Sequence, residues 1–582
     1  MEQKQYDFIV VGGGMSGICA AIAAARHGAK TALVHDRPVL GGNASSEIRM
    51  HVCGADIHGS KPNARETGII EELLLTNRYR NPQQSFSVQD YIFEEIVRKE
   101  QNLTLYLNTR VLDVSMEENR ICSVTAVQTT TEKEFCLSAR YFADATGDGF
   151  LGFRAGAKFM YGRESKKDFG EADAPDVRDD KVMGNSMMFT AKDMGAPVPF
   201  EKPVWAYTYT EEDLTNRDHT EITSGYWWIE VSGENIIANG DKIREELVKM
   251  LIGIWDHIKN IPGHNAENYV LDWIGALPGK RESRRLTGDY VLTENDLTAK
   301  TVFPDTVAYG GWNMDMHEQG GMFSLHCDPT TYFSTDYIYP IPYRCLYSEN
   351  IENLFLAGRA ISVSHMAFGS TRVMATCAVV GQAAGTAAAL CAQKKITPRE
   401  LYGSVGELQA TLMLDDCFLP GYKLLLNDDW ARDAEITASS GENTIFNLVN
   451  GELRNDCKHI NAWQSKGISE AGEWVRLRWN TTRKIGKLIV RFDSDLSNEL
   501  TITISNRIRA NQKMFPATLV KDYDILFFRA GTLAQKKEIR NNYLRLNACE
   551  ADIEADEIEF RFLRTYGAEN IAVFAVNVFG KE

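Results

Sequence analysis

A chain of 582 residues, 44% hydrophobic and 24% charged, has the composition of a soluble globular protein and the length of two or three domains. Its formal charge of −16 opposes a phosphate backbone and an anionic membrane surface, so neither nucleic acid nor membrane is expected as a partner. Eleven cysteines, scattered from Cys19 to Cys549 without a C-x-x-C, give no disulfide or zinc framework and fit a reducing compartment. The polar start, Met1 to Tyr6, runs straight into a strand, which predicts a cytoplasmic protein, or a periplasmic or exported one where a leader was removed. The Ala/Gly-rich run near 373–391 is the nearest approach to a spanning helix and is too interrupted to be read as one.

In chain order, Tyr6 to Val11 reads as a short apolar strand. Gly12, Gly13, Gly14, Met15, Ser16 and Gly17 follow, then an Ala-rich helix to about Gly28 and a second apolar strand, Lys30 to His35. The run matches G-x-G-x-x-G inside a βαβ unit, with Asp36 standing 19 residues after Gly17. Gly12 allows the tight turn, Gly14 lets the backbone approach a pyrophosphate, and Gly17 lets helix and strand pack closely. The helix N-terminus then faces the anion, and Asp36 accepts from a ribose.

Beyond the acid, Arg37-Pro38-Val39-Leu40-Gly41-Gly42-Asn43 resembles the FAD-binding proteins of the two-dinucleotide-binding-domain type. That resemblance continues in Ala143-Asp144-Ala145-Thr146-Gly147 and in Asn353 to Gly358, where Arg359 replaces the usual acid. It implies noncovalent FAD, because the histidine used for covalent attachment in fumarate reductase relatives has no counterpart between Asp36 and Gly41. A helix from near Thr371 through Gly381 and Gly385 is expected to aim its N-terminus at the flavin pyrimidine. Gly162 to Ser165, Gly225 to Glu230 and Pro278 to Arg285 resemble segments of the bacterial FAD-dependent oxidoreductase family, distant relatives of fumarate reductase flavoproteins.

The fold implied is α/β: a Rossmann-like FAD domain from 1–155 and 340–400, with an α+β substrate domain, 156–339, inserted between sheet strands. A helical linker, 401–427, leads to 428–582, where short alternating runs such as Trp474–Trp479, Lys487–Phe492 and Leu500–Ile504 read as an all-β sandwich. Ala438-Ser439-Ser440, Ala462 to Ser465 and the closing Asn570 to Val576 resemble discoidin-like domains, many of which bind glycans through their loops.

The expected chemistry is hydride transfer between a small hydroxylated substrate, with carbohydrates among the candidates, and flavin. The alternatives are reduction of an activated C=C bond, redox-neutral flavin-assisted sugar cleavage, and a non-catalytic flavin- or glycan-binding protein. Through the fumarate reductase resemblance, His365 is the expected proton acceptor and Arg372 the group that stabilises charge. Asp315 and His317, two apart and so on one face of a strand, with His326 nearby, are a second acid/base candidate. No third ligand has a recognisable spacing, and no metal is expected. His51 and His58 follow the Gly-Gly pair closely, Cys53 reads as a redox thiol or a small core residue, and Trp227, Trp228 and Trp312 as core or ring-stacking residues. A homo-oligomer is compatible with this composition.

Overall fold

The computed structural model describes residues 1–582 apart from Gly225, Lys458, Met514 and Glu582, and apart from the side chain of Asn511. The first residue of the expected Gly225–Glu230 segment therefore lies outside the described residues. Two compact units emerge. Unit 1 comprises Met1–Gly54, Gln83–Leu408 and Thr501–Asn511, and unit 2 comprises Ala55–Pro82, Gln409–Leu500 and Gln512–Glu582.

The sheet of unit 1 begins with β1 (Glu2–Val11), followed by helix α1 (Met15–Arg26) and β2 (Thr31–Val34). β3 (Leu103–Tyr106), β4 (Thr109–Glu117), β5 (Arg120–Gln128) and β6 (Lys133–Asp144) complete the order β3-β2-β1-β6-β5-β4. β1 pairs with β2 and β6 in parallel, and β2 with β3 likewise, as a doubly wound sheet requires. Besides β1, the twelve residues of β6 serve two further partners. Its first half runs antiparallel to β5, and its last three residues, Phe142–Asp144, run parallel to strand Leu354–Leu356. A return from residue 356 to the heart of the sheet is what brings Gly358 and Arg359 to the first turn.

Helix Met374–Lys394 is long and apolar enough to cross a membrane, yet 94% of its most apolar window is buried inside the protein. It lies against α1. A Cβ on Gly381 would stand 2.8 Å from the carbonyl carbon of Ser16, and one on Gly385 2.7 Å from that of Ala20. Two glycines four apart thus form the flat surface on which α1 rests. The helix begins at Met374, not near Thr371, because His365–Thr371 is a separate short helix capped by the Ser364 side chain.

Within the insertion, helix Gly240–Asn260 buries Ile243, Leu247, Met250, Leu251, Ile254, Trp255 and Ile258, a spacing of three and four that lines one face. That face packs against Phe189, Tyr226 and Trp228.

Unit 2 contains an all-antiparallel β-sandwich. Two strands of twenty residues, Glu473–Phe492 and Leu546–Thr565, pair along most of their length. The first half of Glu473–Phe492 also pairs with Glu435–Ala438 and its second half with Ala572–Gly580, with the register shifting between Arg478 and Arg483. Trp474–Trp479 and Lys487–Phe492 are therefore one strand rather than two.

Two boundaries read from the sequence are corrected. Ala55–Pro82 clusters with the C-terminal residues of unit 2, where Arg65 pairs with Glu71 at 2.7 Å and donates to the Ser494 and Asp495 carbonyls. Leu500–Ile504 forms no strand of the sandwich. Its residues 501–504 belong to unit 1: the Thr501 hydroxyl accepts from Val52 N, and Ile502 and Ile504 bury with Phe86 and Met188. Alternating apolar residues mark an extended half-buried segment, and the pattern does not say which core buries it.

Candidate active site

Three glycines of the first turn have different tasks. Gly12 takes φ +110°, and a Cβ there would stand 2.8 Å from Thr146 N and closer still to Ala145 O. A Cβ on Gly17 would stand 3.0 Å from the carbonyl carbon of Gly12 and closer to its oxygen. Both positions are closed by backbone. Gly14, the N-cap of α1, has nothing within 4 Å of the place its Cβ would take. It opens onto a cavity of about 510 Å³.

His35, which the motif does not specify, fixes this turn. Gly13 N donates to its Nδ1 at 3.0 Å, and its Nε2 meets Val39 O at 3.1 Å. An amide only donates and a carbonyl only accepts, so the ring is neutral with its proton on Nε2. Burial lowers its pKa from the ordinary 6.5 to about 4, an effect that Asp36 opposes only in part. Gly41 N donates to Gly13 O at 2.9 Å, and Gly41 and Gly42 take φ +107° and +60° to run beside the turn.

The cavity wall brings together Gly12, Gly14, Met15, Ser16, Asp36, Arg37, Gly41, Gly42, Asn43, Ala145, Gly147, Gly358 and Arg359. Cys53, Trp227, Lys280, Arg281, Arg372 and Met374 line it as well, so the start of helix Met374–Lys394 borders it as expected. Gly17 is not on the wall, since it packs on Gly12. Ser16 Oγ, Arg359 Nε and Arg372 Nε are buried without a hydrogen-bond partner among the described residues. Unsatisfied donors beside a helix N-terminus and a glycine facing open space fit an anionic dinucleotide.

Behind the wall runs a buried ion array. Arg372 Nη2 lies 2.8 Å from Asp315 Oδ2, which lies 3.5 Å from His317 Nε2. His317 Nδ1 lies 2.7 Å from Glu230 Oε2, and that oxygen lies 3.2 Å from Arg281 Nη1. Asp315 and His317 share a face of strand Met314–His317, as their spacing predicts. Burial alone would raise both carboxyls. Arg281 and His317 outweigh it and hold Glu230 at about 2, and His317 and Arg372 hold Asp315 well below its usual range. A second array joins Asp148 to Lys280 at 2.6 Å and to Arg359 at 3.8 Å.

His365 is placed otherwise than expected. It is buried, it does not line the cavity, and its Nδ1 lies 2.9 Å from Glu282 Oε1 in a cluster with Arg285 and Glu164. Its backbone N donates to Glu164 at 2.8 Å. These contacts make it part of the packing between the short helix and the insertion. His326 stays outside the arrays, its carbonyl accepting from Asn216. His58 belongs to unit 2, paired with Glu499, and Trp228 and Trp312 are buried, leaving Trp227 on the wall. Sequence reasoning missed Arg281, Glu230 and His35. Arg281 and Glu230 lay inside segments noted for resemblance, which marked neither of them as a site residue.

A family model described as FAD dependent oxidoreductase matches residues 7–412, most of the chain. The chain belongs to the FAD dependent oxidoreductase family. Membership makes it an FAD-dependent oxidoreductase. Among solved structures, a geranylgeranyl bacteriochlorophyll reductase-like protein from Thermoplasma acidophilum is similar at 13% identity, covering 71% of this chain and 86% of that one with a TM-score of 0.32. A Streptococcus pneumoniae fucose binding module matches at 15% identity over 27% of this chain and 99% of its own, TM-score 0.20. The lectin domain of lectinolysin in complex with Lewis B antigen matches at 13% identity over 27% and 99%, TM-score 0.21.

Proposed function

We propose that this FAD dependent oxidoreductase family member holds FAD noncovalently and uses it to take hydride from a small hydroxylated substrate, a carbohydrate first among them. The supporting observation is the pair of arginines, Arg281 and Arg372, on the cavity wall, each held by a carboxylate of one array. Two guanidinium groups fixed in advance stabilise negative charge developing on a substrate oxygen without reorganising. FAD, when bound, supplies the two-electron acceptor. His317, engaged through both ring nitrogens, is a positioning residue that keeps Glu230 and Asp315 apart and each on its arginine. Noncovalent binding is supported by His35, the one histidine among the described wall residues, whose nitrogens are both occupied. The discoidin-like segments motivate the carbohydrate.

The test is anaerobic bleaching of the flavin against sugars and polyols. Arg372→Met should slow reduction by roughly 10²- to 10³-fold, whereas His365→Asn, off the cavity wall, should stay within a few-fold of wild type. Flavin left oxidised by every hydroxylated compound would overturn the proposal. The same arginines also suit a carboxylate, which favours reduction of an unsaturated acid as the second reading; reoxidation of pre-reduced protein by such acids would select it.

A further inference from the structure

The insertion gathers three histidines and a glutamate that neither the FAD cavity nor the ion arrays use. We propose that Glu211, His219, His257 and His264 form a binding site for one zinc ion. Their ligand atoms all lie within 4.8 Å of one another. Glu211 Oε1 lies 3.2 Å from His257 Nε2 and 3.0 Å from His264 Nε2, and its Oε2 lies 3.4 Å from His219 Nε2. A tetrahedral zinc ion with bonds of about 2.0–2.1 Å places its ligand atoms about 3.3 Å apart. The observed glutamate–histidine separations sit at that edge length.

Hydrogen bonding at the far side of the rings is what singles out a cation. His257 Nδ1 lies 3.0 Å from Tyr209 O, and His219 Nδ1 lies 2.6 Å from Arg217 O. A carbonyl only accepts, so both Nδ1 atoms carry protons and a neutral ring turns the Nε2 lone pair inward. This is the second shell by which proteins orient zinc-bound histidines. Without a cation, inward lone pairs would face a carboxylate, and the alternative is to crowd several imidazolium rings together. Ring centroids stand 5.0–5.3 Å apart, so charging all three rings would place like charges against one another. Full protonation of the trio is thus opposed by its own geometry.

The scaffold is preorganised. His257 stands in the last turn of helix Gly240–Asn260 with a fully buried side chain. The segment before His219 is anchored by Arg217, whose guanidinium donates to the carbonyls of Cys327 and Gly321, and the Trp228 indole donates to Asp218 O. Glu211, half exposed, leaves an entry path. Imidazole and carboxylate donors suit zinc over the oxygen-only sites of magnesium and calcium. The metal would tie the loop to the end of the helix. The four residues span 54 positions, from one loop through the end of a helix to the loop after it, so no sequence spacing reveals them.

The experiment uses tag-free, full-length holoprotein stripped with a chelator and titrated with Zn²⁺ by calorimetry, with metal content read by elemental analysis. Glu211→Gln and His264→Gln lie at the rim and keep the buried His257 in place. Wild type should take up one Zn²⁺ per chain with a rise in thermal midpoint. Each variant should bind roughly 100-fold more weakly or worse, with FAD content unchanged. Co²⁺ should give the visible spectrum of a four-coordinate site in wild type and lose it in the variants. Absence of a stoichiometric Zn²⁺ equivalent in wild type, or equal affinity in the Glu211→Gln/His264→Gln double variant, would overturn the assignment.

Discussion

Gly14→Val separates binding from folding at a single turn. Because nothing lies within 4 Å of the Gly14 Cβ position, the new methyl groups enter the cavity and not the protein. The cost to folding is that of exchanging glycine for valine at a helix N-cap, about 1 kcal/mol. The cost to binding is larger. The valine would occupy space a pyrophosphate needs to reach the α1 N-terminus, and losing even two charge-assisted hydrogen bonds of about 1.5–3 kcal/mol each removes at least 10²-fold in affinity. The expected protein is folded by far-UV circular dichroism, melts within a few degrees of the apoprotein, and is colourless. Gly17→Val is the counterpart: its side chain would be driven into the Gly12 carbonyl, so it should fail to fold. Yellow Gly14→Val with wild-type FAD released on acid precipitation would refute the reasoning, as would unfolded Gly14→Val.

Gly385→Leu should lower the thermal midpoint by several degrees or abolish soluble expression, since the α1 backbone at Ala20 cannot retreat from the new side chain; a midpoint equal to wild type would count against the glycine contact. Because the pKa of His35 falls from 6.5 to about 4 on folding, the unfolded chain binds the extra proton between these values. Its stabilisation is then complete above pH 6.5 and is lost as pH falls toward 4, on the order of 3 kcal/mol in all. Thermal midpoints of wild type and His35→Gln should diverge in slope across that window, and parallel curves would exclude this role. Truncation after residue 425 should give insoluble protein, because it removes Ile502 and Ile504 from unit 1 and strands 55–82 without the residues they cluster with; a soluble yellow fragment would show the opposite.

The cofactor turn was legible because its determinants are local. Gly12, Gly14, Gly17 and Asp36 lie within 25 residues, and the glycines answer to the backbone geometry of one βαβ unit. Asp315 and His317 were legible for a similar reason: an alternation of two survives in any strand. The pairing of Arg372 with Asp315 and of Arg281 with Glu230 was not, since each joins residues 50 or more positions apart, and nothing in a charged side chain's neighbourhood in sequence names its partner. The same limit misplaced His365. The fumarate reductase resemblance suggested a proton acceptor, but Glu282 and Glu164, contributed by the insertion, draw its ring and its backbone N into a buried cluster. The exchange of 55–82 and 501–511 between units escaped notice because apolar alternation reports burial without address.

A formal charge of −16 repels a dianionic pyrophosphate at long range, yet the wall of the cavity reverses the sign. Arg37, Arg110, Lys280, Arg281, Arg284, Arg359 and Arg372 line it against only Asp36 and Asp148. At physiological ionic strength the Debye length is about 8 Å, so most of the surface acids are screened from a ligand in the cavity while the wall cations act at contact. Three of those cations are restrained by acids, Arg281 by buried Glu230, Arg372 by buried Asp315 and Lys280 by half-buried Asp148, which limits the repulsion among them before any ligand arrives. That restraint also fixes where the positive charge points. Arginines pinned by acids would favour an anion whose shape matches their fixed guanidinium groups, where unpaired surface lysines would attract anions of any shape.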